Sequence, residues 1–152
     1  MMSTFSVGAY LQVLHTTNQD QLISGVEFEH MGRRGEEDKF PIQIQYSGSL
    51  PGTLISKNSI HDSQQRCIVI DGTANITLSE NVAANNYGHC IFVGHNASDN
   101  TISGNYVSHS RNIHHTEDIP GESDNQASGL VNVNGPNDYV SNIAVGNQGD
   151  GF

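Results

Sequence analysis

The triplet Thr77-Leu78-Ser79, met again as Thr101-Ile102-Ser103, decides the fold. The same phrase stands at Leu22-Ile23-Ser24, Leu54-Ile55-Ser56 and Tyr139-Val140-Ser141, and its serines lie 32, 23, 24 and 38 residues apart. A second phrase keeps step with it: Tyr10-Leu11-Gln12-Val13, Pro41-Ile42-Gln43-Ile44, Cys67-Ile68-Val69-Ile70, Cys90-Ile91-Phe92-Val93 and Leu130-Val131-Asn132-Val133. Two short strands returning together about every 23 residues describe a coiled stack. The expected fold is all-β: a right-handed parallel β-helix, or β-solenoid, of about five coils. Residues 1–152 are read as one such domain, a module of a longer architecture.

Alternation along each phrase assigns the core. The inward columns are expected to be Ile23, Ile55, Leu78, Ile102 and Val140, then Phe28, Ile60, Ala83, Val107 and Val145. On the other strand they are Leu11, Ile42, Ile68, Ile91 and Val131, then Val13, Ile44, Ile70, Val93 and Val133. The intervening residues face outward. One outward column reads Gln12, Gln43, Val69, Phe92, Asn132; the next reads Leu14, Gln45, Asp71, Gly94, Asn134. Asn58, Asn81 and Asn105 recur at one phase and are expected to stack as an amide ladder. Two polar segments, 31–40 and 111–126, break the period and are read as inserted loops.

The 152 residues carry a net charge of −10 with only six Lys and Arg. That sign disfavours nucleic acid and anionic membranes as partners. No apolar run approaches the roughly 18 residues of a membrane span, and the first residues show no basic region of a signal peptide. Cys67 and Cys90 are one coil apart, about 4.8 Å by strand spacing. That distance allows a disulfide, but in-register parallel neighbours seldom have the Cβ geometry for one, so a stacked pair of thiols is the first expectation and a bridge the second. Asn75-Ile76-Thr77 and Asn96-Ala97-Ser98 are N-glycosylation acceptors placed in turns.

The pieces Gly25-Val26-Glu27-Phe28, His30-Met31-Gly32 and Phe40-Pro41-Ile42 carry a resemblance. It continues through Ser59-Ile60-His61, Arg66-Cys67, Asn81-Val82-Ala83, Gly88-His89-Cys90, Gly135-Pro136-Asn137 and Asn142-Ile143-Ala144. In this order they resemble the β-helix region of the cell-surface and cell migration-inducing hyaluronidases and, more distantly, fibrocystin-like proteins. The resemblance covers roughly residues 22–152 and implies an extracellular or cell-surface location. Relatives commonly carry His-x-His on the strand after Pro41, where this chain has Gln43 and Gln45. Glutamine cannot relay a proton near neutral pH, so no catalytic residue carries over.

For catalysis, the best cluster in sequence is His61, Asp62 and Arg66 with His89, and for a metal it is His114, His115, Glu117 and Asp118. Both are read first as solvated or turn-bonding groups, and no cofactor is expected. Two functions remain. In the leading one, the chain is a non-catalytic structural subunit whose open ends pair with copies of itself or adjacent domains. The apolar strand at Tyr10–Leu14 begins with no helical cap, which is why something is expected to cover the ends. The alternative is a carbohydrate-binding module, for a hyaluronan-like glycan, or a remnant of a polysaccharide hydrolase or lyase. Its face would be Gln43, Gln45, Phe92, Asn132 and Asn134.

Overall fold

The computed structural model describes residues 8–113 and 126–152. Fifteen short strands among them form three five-stranded sheets. The first sheet stacks β1 (Leu11–Leu14), β4 (Ile42–Ser49), β7 (Ile68–Ala74), β10 (Ile91–Val93) and β13 (Leu130–Asn132). The second stacks β2 (Leu22–Ser24), β5 (Leu54–Ser56), β8 (Thr77–Ser79), β11 (Thr101–Ser103) and β14 (Asp138–Val140). The third stacks β3 (Glu27–Glu29), β6 (Ser59–His61), β9 (Val82–Ala84), β12 (Tyr106–Ser108) and β15 (Ile143–Val145). Neighbours in every sheet are parallel. The chain is a parallel β-helix of five coils.

Each coil has three strands where the sequence suggested two. Gly25, Lys57, Glu80, Gly104 and Ser141 have φ between +54° and +69° and turn the chain sharply between the second and third sheets. A left-handed residue is costly for anything but glycine. Lys57, Glu80 and Ser141 hold that conformation because the following residue is locked by the asparagine ladder.

The ladder carries the corner. Asn58 Nδ2 donates to Asn81 Oδ1 (2.9 Å), Asn81 Nδ2 to Asn105 Oδ1 (2.9 Å) and Asn105 Nδ2 to Asn142 Oδ1 (2.9 Å). Each Oδ1 also accepts the backbone N–H of the asparagine one coil earlier, at 3.0 to 3.1 Å. Each Nδ2 donates as well to a carbonyl of the preceding coil: Ile23, Ile55, Leu78 and Ile102. Similar bonds recur at the other corners, where Asn100 donates to Asn137 and the Ser63 N–H to Asn86. Buried polar backbone is thereby satisfied where no strand pairing reaches it.

The core lies between the sheets. Ile42, Ile44, Ile55, Ile60, Ile68, Ile70, Leu78 and Ile102 are fully buried, each contributing about 1.5–3 kcal/mol of apolar transfer. The expected inward columns hold through the fourth coil, and the fifth slips by one residue. Ile102 pairs with Tyr139, Val107 with Ala144, Ile91 with Leu130 and Val93 with Asn132. Val140 and Val145 therefore face outward and are exposed, and Val131 and Val133 leave the inward columns. The reason is local: Ser141 is the left-handed turn residue that Gly104 is one coil earlier. A one-residue slip moves every side chain of a strand to the other face.

Cys67 and Cys90 form a disulfide, with Cα atoms 4.6 Å apart. This corrects the expected pair of thiols. The two cysteines precede their strands, where Cys67 N–H and Ile68 N–H both donate to Cys90 O. The 23-residue phase is kept, but two N–H groups share one carbonyl there, so the backbone departs from the regular ladder on which the argument against a bridge rested.

Candidate functional site

Two features have the make-up of functional surfaces: the outer face of the first sheet, and the open ends of the stack.

On the outer face, Gln43 is fully buried and Gln45 is 7 % exposed. The first insert, 31–40, folds back over this face. Asp38 Oδ1 accepts from Gln43 Nε2 (2.8 Å), and Gln43 Oε1 accepts from Gln12 Nε2 (3.1 Å). Phe40 packs on Val69, both buried, against the edge of Phe92. The expected sugar-binding column is thus covered at Gln43. Its upper end differs too, since the fifth-coil residue paired with Phe92 is Val131, while Asn132 pairs with Val93. Asn134 is exposed and its Oδ1 accepts from Asn96 N–H (3.2 Å). These five residues do not form one continuous exposed face.

What remains open is a cleft of about 80 Å³ between the insert and the sheet. The Arg66 guanidinium, on a residue 2 % exposed, forms its floor, 4.0 Å from the Phe92 ring and 5.7 Å from the Phe40 ring. Such a cation held over aromatic faces in a dry setting is strongly placed. Asp38 and Glu37 come from the insert, and Asp71, Gln45 and Tyr46 from the sheet. A Cβ on Gly94 would stand 2.9 Å from Asp71 Oδ1, so the absence of a side chain there makes room for the carboxylate. The Tyr46 phenol is pushed above its usual range, chiefly by the charge of Asp71. Ligand pockets usually enclose about 300–1,000 Å³, so this cleft is too small for a polymer chain. A wider hollow of about 480 Å³ lies higher on the same face, lined by His89, Gln126, Ser128, Leu130, Asn132 and Phe152.

The cluster of His61, Asp62, Arg66 and His89 divides into two places. His61 lies on the third sheet, with Nδ1 2.9 Å from Asp62 Oδ2 and Nε2 3.1 Å from Glu27 Oε1. Hydrogen bonds to Asp62 and then Glu27 raise its pKa above the usual value. Arg66 and His89 precede strands of the first sheet and both lie against the Phe92 ring, and His89 Nδ1 accepts from Ser128 N–H (3.0 Å). Both His61 nitrogens are held by carboxylates, and the ring lines neither of the two hollows described above. Among the described residues, no three His, Cys, Asp or Glu side chains gather as metal ligands. His114, His115, Glu117 and Asp118 lie outside the described residues. Asn75 and Asn96 sit on exposed left-handed turns.

At the ends, the inward columns are less buried than in the middle, although Phe28 and Leu130 are covered. Ile102 and Val107 are fully buried in the fourth coil, whereas Tyr139 and Ala144 above them are half-buried. Leu11, Val13 and Ile23 are half-buried in the first coil. The Tyr139 hydroxyl is buried without a partner among the described residues, and burial pushes its phenol up to about 12.

The family described as CEMIP beta-helix matches residues 6–152. The chain belongs to the CEMIP β-helix family. Communication mutant protein F of Dictyostelium discoideum is 28 % identical over 138 residues, covering 81 % of this chain and 12 % of that protein. The cell migration-inducing and hyaluronan-binding protein of Mus musculus is 32 % identical over 77 residues, covering 46 % of this chain and 6 % of the relative. The cell surface hyaluronidase of Danio rerio is 25 % identical over 93 residues, covering 57 % and 7 %. The chain spans about a tenth of the length of the curated relatives it matches. No solved structure matches it. Membership of the CEMIP β-helix family accords with the resemblance read from Gly25–Phe28 through Asn142–Ala144.

Proposed function

We propose that this CEMIP β-helix acts as one non-catalytic structural domain at the cell surface or outside the cell, and that its open ends seat neighbouring coils. The observation that carries this reading is the contrast between the buried inward columns of coils two to four and the half-buried Leu11, Val13 and Ile23 of coil one and Tyr139 and Ala144 of coil five, where only Phe28 and Leu130 stay buried. Apolar side chains left half-open on unpaired parallel strands form a surface that templates further pairing. The location is supported by the surface and hyaluronan-directed names of the relatives and by the disulfide, a bond at home in oxidising compartments. Against catalysis stand Gln43 and Gln45 in place of the histidines of relatives, and a cleft too small for a polysaccharide.

A second reading, a glycan-binding module, is favoured by the hollow lined by His89, Asn132 and Phe152. It pairs a ring with polar side chains at a size suited to a ligand.

The leading reading is tested by building on the upper end. Phe152 occupies the phase of Leu130, since Leu130 N–H donates to Gly151 O. A second copy of residues 131–152 joined after Phe152 is therefore in step with the stack. It is expected to slow exchange of the fifth-coil amides; unchanged exchange would overturn the reading. A calorimetric titration with hyaluronan oligosaccharides is expected to give no heat. Saturable heat lost on Phe152→Ala would instead favour the second reading.

A further inference from the structure

Asparagine has two settings in this fold. At the corners it is enclosed by the stack: Asn58, Asn81, Asn86, Asn100 and Asn105 are at most 2 % exposed, and each Nδ2 donates to a carbonyl of the coil before it. An amide nitrogen held in this way has no room for a substituent. Asn75 and Asn96 are set differently. Both are exposed, and both are left-handed turn residues, with φ of 63° and 56°. They open the two acceptor patterns for N-linked sugar, Asn75-Ile76-Thr77 and Asn96-Ala97-Ser98.

In both patterns the middle residue is the anchor. Ile76 is 1 % exposed and Ala97 is fully buried, while the asparagine before each stays in solvent. Folding therefore keeps the attachment atom outside. Asn75 Nδ2 donates to Ser49 Oγ (2.9 Å). An amide nitrogen joined to a sugar keeps one hydrogen, so that bond is compatible with a glycan. The two turns share one edge of the stack. Ala74 pairs with Ser98, and Asn75 N–H donates to Ser98 O (3.2 Å), two residues beyond Asn96. This edge is the corner between the first and second sheets in coils three and four.

We propose that Asn75 and Asn96 each carry an N-linked glycan, and that the pair covers the edge between the first and second sheets. The donor is an oligosaccharide joined to a lipid diphosphate. The asparagine Nδ2 attacks its anomeric carbon, the new N–C bond forms, the C–O bond to the diphosphate breaks, and one Nδ2 proton passes to a base of the transferase. That chemistry belongs to the secretory route, so the proposal rests on the reading of this domain as extracellular. It adds to that reading the side of the stack that stays in solvent, because a bulky hydrated substituent is excluded from a dry interface.

The test expresses the full chain behind a cleavable secretion leader in cultured eukaryotic cells and weighs the secreted protein. The proposal expects two steps of added mass, both removed by a peptide N-glycosidase that leaves aspartate at positions 75 and 96. Asn75→Asp and Asn96→Asp suit a left-handed turn as asparagine does, and each should lose one step and keep the fold. Thr77→Ala and Ser98→Ala should lose the same steps with both asparagines in place. A secreted chain with Cys67 and Cys90 bridged and no added mass would overturn the proposal and leave the extracellular reading standing. A single step would overturn the covered edge and one of the two sites. A chain retained in the cell with both thiols free would overturn the proposal and the reading beneath it.

Discussion

Replacing Asn81 by alanine removes the centre of the ladder. Asn81 Oδ1 accepts from both the N–H and the Nδ2 of Asn58, and its own Nδ2 donates to Ile55 O and Asn105 Oδ1. The substitution leaves Asn58 N–H without a partner, at a residue 2 % exposed where water cannot replace it, whereas Ile55 O keeps its place in the β5–β8 ladder. Asn58 Nδ2 keeps its bond to Ile23 O, and Asn105 Oδ1 keeps the Asn81 N–H. One orphaned buried group gives a loss of about 2 kcal/mol. With an m-value of about 2 kcal/mol/M, the urea midpoint falls by about 1 M. Asn142→Ala frees Asn105 N–H, on a residue 1 % exposed. Asn142 itself is half-buried at the end of the stack, so a water can stand in for its amide oxygen and the change should cost about 1 kcal/mol. Urea unfolding followed by circular dichroism compares them. Equal losses at Asn81 and Asn142 would refute the argument that burial of the ladder, and not asparagine's turn preference, sets its worth.

Reduction of Cys67–Cys90 frees a loop of 23 residues and should cost about 3 kcal/mol, read as a lower melting temperature in reductant or in the Cys67→Ser, Cys90→Ser chain. Phe92→Ala withdraws the ring facing the buried Arg66 and should destabilise by about 3 kcal/mol, whereas Phe92→Tyr keeps the ring and should cost less than half as much. The raised pKa of His61 gives a pH dependence of known sign. Its ion-pair stabilisation is complete below the unfolded value of about 6.5 and is lost as pH rises through the higher folded value. Across that window the wild-type melting temperature should fall relative to His61→Gln; parallel profiles would show that the carboxylates do not stabilise the protonated ring.

The regular part of the molecule was legible because each coil repeats the same apolar phase. Ile23, Ile55, Leu78 and Ile102 could be aligned directly, and so could Asn58, Asn81 and Asn105. The fifth coil misleads because its serine, Ser141, is a corner residue and not the end of a strand. Asn142, in phase with Asn105, was the better anchor, since the corner and not the strand fixes the register. The third strand of each coil was hidden by Lys57 and Glu80, which do not announce a left-handed turn as glycine does. The burial of Gln43 depends on where the insert 31–40 lies, a long-range matter that no period encodes. One signal was present: Val69 and Phe92 put apolar side chains on an outward column, and Phe40 supplies their cover. The split of His61 from Arg66 likewise follows from the sheet change between them, which sequence proximity conceals.

Native-state amide exchange across the whole chain, measured at low concentration, tests the central account most directly. It predicts strong protection at Asn58, Asn81, Asn100 and Asn105, whose N–H groups are held by the coil above, and rapid exchange at Asn137, Asn142 and Asn147. Protection of the last three equal to that of Asn81 would mean that the upper end is already closed, contradicting the view of this β-helix as a stack open for a neighbouring coil.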